Sequence, residues 1–282
     1  MDIFQTIVIA IVEGLTEFLP VSSTGHMIIT QNLLGMSSTP FVKAFTVIIQ
    51  FGAILSVVVL YWKRFFRLDH SPAPAGSTPT RRFLHKWDFY WKLFVAFLPA
   101  VVIGGLLNKV VDHLLGSVVV VAVMLVVGGV FMLFCDKWFN HGKDETALTE
   151  RRAFRIGLCQ CIAMIPGVSR SMATIVGGMA NGLTRKKAAE FSFFLAVPTM
   201  LAATCLEVLK MLVSGEFSSM SGHVSTLLLG SAVAFVVAIL AMKWFVGFLT
   251  KYGFRLFGWY RIIVGGAILL LLATGHTLAM VD

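Results

Sequence analysis

Residues 13–26 read EGLTEFLPVSSTGH. The ten residues before them, IFQTIVIAIV at 3–12, are mostly apolar, and so are the eight after them, MIITQNLL at 27–34. Glu13 and Glu17 fall one helical turn apart and share a helix face. Pro20 cannot continue a helical hydrogen-bond ladder. Ser22, Ser23, Thr24, Gly25 and His26 follow directly. An arm of ten helical residues reaches about 15 Å, roughly half of a bilayer's hydrocarbon core. The pattern is therefore two short apolar arms around a polar, helix-breaking centre.

The rest of the chain supplies the setting. Of 282 residues, 57% are hydrophobic and only 13% charged, with mean hydropathy +0.87, whereas a soluble domain is about a quarter charged. Segments 44–62, 91–107, 117–135, 191–213, 226–250 and 259–279 are each long and apolar enough for a transmembrane helix. Residues 156–183 repeat the interrupted pattern of residues 3–35, with PGVSRSMAT at 166–174 as the break. Irregular backbone at membrane depth survives only when buried in protein or lining a cavity. The sequence thus predicts an all-α polytopic membrane protein, one integral domain over 1–282, with six full transmembrane helices and two re-entrant helix–loop–helix hairpins. The N-terminus, Met1-Asp2 with no basic region and no small-residue cleavage site, does not read as a cleavable signal peptide.

The net charge of +9 would suggest nucleic acid in a soluble protein. Here it encodes orientation, and no nucleic-acid partner is expected. Stretches 63–92, 136–155, 185–187 and 243–261 carry most of the 23 Lys and Arg, while loops 108–116 and 214–225 hold only Lys109. The positive-inside rule puts the basic stretches in the cytoplasm. The first hairpin then enters and leaves on the outside, the second on the inside, and both termini lie outside. The halves, about 1–135 and 152–282, run in opposite orientation. Glu13 to Ser23 aligns on Gln160 to Arg170, KAFTVIIQFGAIL at 43–55 on AEFSFFLAVPTML at 189–201, and VVGGVFML at 126–133 on IVGGAILL at 263–270. The predicted fold is an inverted-topology repeat, in which broken helices meet near the midplane and build the site there. Cys135, Cys159, Cys161 and Cys205 sit in apolar segments and lack the spacing of a zinc site, so they read as packing residues.

Ionised carboxylates in hydrocarbon are costly unless paired, hydrated or metal-bound. Glu13 and Glu17 on one face suit a divalent cation or a shared proton. Ser22, Ser23 and Thr24 offer hydroxyls around the turn. His26 is a general acid or base near neutral pH. Serine, histidine and carboxylate together are the parts of an activated nucleophile. In the second break, Ser169, Ser171 and Thr174 offer hydroxyls and helix-start amides. Arg170 is the only basic residue this reading puts at midplane depth, where its fork beside a helix N-terminus suits phosphate or pairs with Glu13 or Glu17. Glu207 and Lys210 are expected to pair near the outer edge, and Gln50 and Gln160 to act as interhelical glue or to bond the hairpin loops.

At these residues the chain resembles the undecaprenyl-diphosphate phosphatase family, also called the BacA or UppP bacitracin-resistance family. The blocks E-G-x-T-E-F-x-P-V-S-S-T-G-H and P-G-x-S-R-S-x-x-T carry the resemblance, with Q-F-G-A-I-L and E-F-S-F-x-L-A-V-P between them. It implies hydrolysis of undecaprenyl diphosphate to the monophosphate, which recycles the carrier lipid for cell-wall synthesis. It also implies bacitracin resistance, a divalent cation (Mg or Ca) as cofactor, and a site on the outer side of the bacterial cytoplasmic membrane. In that scheme Glu13 and Glu17 hold the cation, Glu13, Ser22, Thr24, Ser169, Ser171 and Thr174 bind the substrate, and Arg170 is a catalytic residue that grips the diphosphate. Ser23 attacks the terminal phosphorus, His26 relays the proton and Glu17 assists. In a variant, Glu17 and His26 activate water instead. The rival class is a lipid-phosphate transporter or flippase using the same midplane groups. Membrane lipids are expected partners, and the sequence leaves a homodimer open.

Overall fold

The structure is a computed structural model and describes residues 1–37, 39–66, 86–215, 222–276 and 278. The described helices are α1 (Ile3–Thr16), α2 (Ser23–Leu33), α3 (Pro40–Leu60), α4 (Trp62–Phe66), α5 (Asp88–Leu115), α6 (Val118–Phe139), α7 (Glu150–Ile162), α8 (Arg170–Ala180), α9 (Arg185–Ser214), α10 (Val224–Tyr252) and α11 (Arg255–Ala273). Of these, α3, α5, α6, α9, α10 and α11 have the length and apolar character to cross a membrane, and they coincide with the six segments picked out by hydropathy. Their outward faces carry large apolar side chains such as Leu106, Leu240, Ile263 and Leu270, each more than 60% exposed. Apolar surface on that scale marks contact with lipid. The chain is a multi-pass integral membrane protein.

Local chemistry starts the helices. Thr39 accepts a hydrogen bond from the Val42 amide at 3.2 Å, and Pro40 fills the first position of α3. Ser117, Thr149 and Thr184 cap α6, α7 and α9 in the same way. Glycines then let backbones touch. A methyl group at Gly129 of α6 would stand 2.8 Å from the Gly258 carbonyl of α11, and one at Gly265 would stand 2.8 Å from the Ala122 carbonyl. α3 also packs on α9, α1 on α10, and α5 on α7. Phe18, Phe45, Phe193 and Phe245 fill the interior with no exposed surface.

Polar contacts gather several helix ends in one place. Arg185 at the start of α9 pairs with Asp136 of α6 at 2.7 Å, and Asp136 also accepts the Phe254 amide at the α10–α11 turn. Arg152 near the start of α7 donates to the Asn181 carbonyl just past α8, at 3.0 Å. So the start of α7 lies beside the chain just past α8. Gln5 of α1 likewise donates to the Leu34 carbonyl past α2, at 3.3 Å. The bends of the two pairs meet: Ser171 donates to the Leu19 carbonyl at 2.7 Å.

Two other expectations can be located. Glu207 and Lys210 pair at 2.5 Å. Gln160 accepts from Thr199 at 3.3 Å, which ties α7 to α9 rather than to a loop.

Candidate active site

Each bend contains one strained serine. Ser22 has φ 70° and Ser169 has φ 77°, and these are the only non-glycine residues with positive φ among those described. Such a conformation costs about 1–3 kcal/mol and persists only where the surroundings enforce it. The two serines fall at matching positions of the sequence alignment, each immediately before a short helix. The strain turns the chain so that α2 begins at Ser23 and α8 at Arg170, bringing two helix N-termini, with their positive dipole ends, to the meeting point of the bends.

Glu17 is the hub of that meeting point. One carboxylate oxygen accepts the Ser23 hydroxyl at 2.7 Å, and the other accepts from the Arg170 guanidinium at 3.2 Å. The pair is largely sheltered, with side-chain exposures of 10% for Glu17 and 13% for Arg170. Arg170 also donates to the Ser192 carbonyl at 3.2 Å, approaches the Met200 sulfur at 3.8 Å, and lies 5.8 Å from the centre of the Phe18 ring. Ser192 and Met200 of α9 thus help aim the guanidinium. Glu13, one turn before Glu17, is buried.

The remaining candidates divide. Ser169 sits beside Arg170, caps α8 by accepting the Met172 amide at 3.4 Å, and lies 3.0 Å from the Ser171 hydroxyl. Ser171 and Thr174 are fully enclosed: Ser171 ties the two bends together, and Thr174 bonds the Arg170 carbonyl and the Ser192 hydroxyl. Their hydroxyls support the Arg170 turn. Ser22 is buried and Thr24 half-buried beside Ser23.

His26 is not bonded to Ser23. Its Nδ1 lies 2.8 Å from the Ser22 carbonyl, and its Nε2 lies 2.7 Å from the Tyr260 hydroxyl. The group engaging Ser23 is Glu17, because the turn that starts α2 points the hydroxyl back toward the end of α1.

Sequence reasoning missed Arg261. It falls at the end of the basic stretch 243–261, yet it has no exposed surface. Its guanidinium donates to the carbonyls of Pro20 (3.2 Å), Gly167 (2.6 Å) and Val168 (2.9 Å), and to Met124 (3.0 Å) and Leu125 (3.3 Å) of α6. Gly128 makes the space, since a methyl group there would meet the guanidinium at 2.5 Å. One cation therefore fastens both bends to the α6–α11 pair. The signal in the sequence was a lone arginine inside the apolar run WYRIIVGGAILL at 259–270.

Fold and site together define a polytopic helical membrane protein that gathers carboxylate, hydroxyl, imidazole and guanidinium groups where two broken helices meet. Residues 6–267 match the family model described as "Bacitracin resistance protein BacA", and the chain belongs to that family. It is 57% identical over 281 residues to an "Undecaprenyl-diphosphatase" of Porphyromonas gingivalis, covering 99% of this chain and 100% of the relative. Proteins of the same name from Bdellovibrio bacteriovorus (53% over 285 residues, all of both chains) and Aquifex aeolicus (42% over 269 residues, 94% of this chain and 96% of the relative) are also similar.

Proposed function

We propose that this protein hydrolyses undecaprenyl diphosphate to undecaprenyl phosphate and inorganic phosphate in the bacterial cytoplasmic membrane, recycling the carrier lipid for wall synthesis and giving bacitracin resistance. The observation that carries the reading is Glu17 holding the Ser23 hydroxyl and the Arg170 guanidinium at once. A carboxylate placed to take a serine proton and an arginine placed to hold an anion are the two requirements of a serine-based phosphoryl transfer.

Arg170, Ser169 and the start of α8 hold the terminal phosphate, with Ser22 and Thr24 at the opposite bend. Glu17 takes the Ser23 proton as Oγ bonds the terminal phosphorus. The bridging P–O bond breaks, and the lipid monophosphate leaves. Water then attacks the phosphoserine, the Oγ–P bond breaks and the proton returns to Oγ. Ser171, Thr174 and Ser192 keep the Arg170 turn in place.

Glu17 and Glu13, which is buried one helical turn before it, are the carboxylates that would hold a divalent cation. No group of three or more His, Cys, Asp or Glu forms a cage among the described residues. Two carboxylates on one face, completed by substrate phosphate oxygens, match the way magnesium is usually bound in phosphate enzymes. When bound, the ion would neutralise charge on the phosphoryl oxygens.

The bends are the tips of two re-entrant hairpins in inverted halves, about 1–135 and 152–282, with the first hairpin opening to the outside. The paired serine strain at Ser22 and Ser169 and the coincident ends of each short-helix pair support this reading. The test is phosphate release from a soluble short-chain prenyl diphosphate by detergent-purified protein. Release, with a phosphoserine trapped at Ser23, is expected. A carrier would bind the lipid and release no phosphate, and full turnover by Ser23→Ala would transfer the attack to water.

A further inference from the structure

We propose that Tyr260 is a positioning residue for His26, fixing the imidazole that the motif reading assigns to proton relay, a role that nothing in the motif blocks gives to Tyr260. The inference rests on the phosphatase reading above.

The Ser22 carbonyl can only accept, so His26 Nδ1, 2.8 Å away, carries the hydrogen. Nε2 of the neutral ring is then the free lone pair, and the Tyr260 hydroxyl donates to it at 2.7 Å. The two rings are nearly parallel, 8° apart with centroids 5.5 Å apart. Both ring nitrogens and the ring plane are thereby specified. The Ser22 contact sets the tautomer, and the Tyr260 contact sets the direction of Nε2.

Tyr260 can do this because its neighbour Arg261 is buried and held by several hydrogen bonds. Arg261 is bonded to both bends and to α6, so α11 is anchored to the same Pro20–Ser22 turn that carries His26. The phenol stands at the edge of the site, 45% exposed, and its hydroxyl contacts His26 rather than Ser23, Glu17 or Arg170. Among the described residues the hydroxyl therefore reaches the site through the imidazole.

A double-mutant cycle tests this with the full-length protein in detergent and a short-chain prenyl diphosphate. Tyr260→Phe is expected to lower kcat about tenfold, the scale of a lost orienting hydrogen bond, with KM changed less than twofold. In the His26→Ala background the same change is expected to cost nothing further. An equal loss in both backgrounds would make the hydroxyl a general structural prop and overturn the proposal. Wild-type or faster turnover by Tyr260→Phe would do so too, as would loss of the cooperative thermal unfolding transition in that variant. Failure of the wild-type protein to release phosphate would instead defeat the phosphatase reading.

Discussion

At the scale of single residues, two arginines divide the work. Arg170 faces Glu17 at the site, while Arg261 donates to carbonyl oxygens and approaches a methionine sulfur. Arg170→Ala is expected to lower kcat by about 10²–10³, the usual cost of removing a donor to developing phosphoryl or oxyanion charge. Lysine should restore little, because a point charge cannot span Glu17 and the Ser192 carbonyl as a planar fork does. Phosphate-release kinetics check both, and near-normal turnover by Arg170→Ala would remove the phosphate grip. Arg261→Met should act on the fold. Leaving a buried carbonyl without its donor costs about 1–3 kcal/mol, which detergent-solubilised protein would show as a lower unfolding temperature, with Arg261→Lys falling between.

At the scale of elements, the strained serines and the close-approach glycines are complementary devices. The serines turn short helices inward, and the glycines let the long helices crowd around them. Gly52 of α3 lies against the Ser231 backbone of α10, and Gly157 of α7 lies against the Ala96 backbone of α5. An added methyl group has only main chain to displace at either place. Gly52→Ala and Gly157→Ala are each expected to destabilise by about 1–3 kcal/mol, as overpacking does. Thermal unfolding of the two variants in detergent measures it, and an unchanged midpoint would mean the helices can slide apart at that crossing. Pro20 is a further case where sequence and structure agree: α1 ends at Thr16 and the chain turns through the proline.

At the scale of the whole molecule, the predictions concern orientation and the ion. With the native cysteines replaced, Gly116→Cys should react with a membrane-impermeant maleimide in intact cells, and Lys143→Cys only after permeabilisation. The reverse pattern would turn the first hairpin toward the cytoplasm. Chelation should stop phosphate release by the purified enzyme, and added magnesium or calcium should restore it. Turnover unaffected by chelator would mean that Glu13 and Glu17 work without a cation.

The six spans, the two interrupted helices and the motif residues were readable from the chain alone, because hydrophobic length and helix-breaking residues act locally. Glu13, Glu17, Ser23 and Arg170 could be singled out for the same reason: charge within an apolar run needs no partner in view to be conspicuous. Tertiary structure decided which groups touch. Glu17, not His26, holds Ser23, because the strained turn at Ser22 sets the start of α2. Arg261 became the anchor and Tyr260 the partner of His26 because α11, far along the chain, packs on α6 beside both bends. Contacts of that sequence separation depend on helix crossings, and helix crossings are set by the packing of small residues rather than by any local run of sequence.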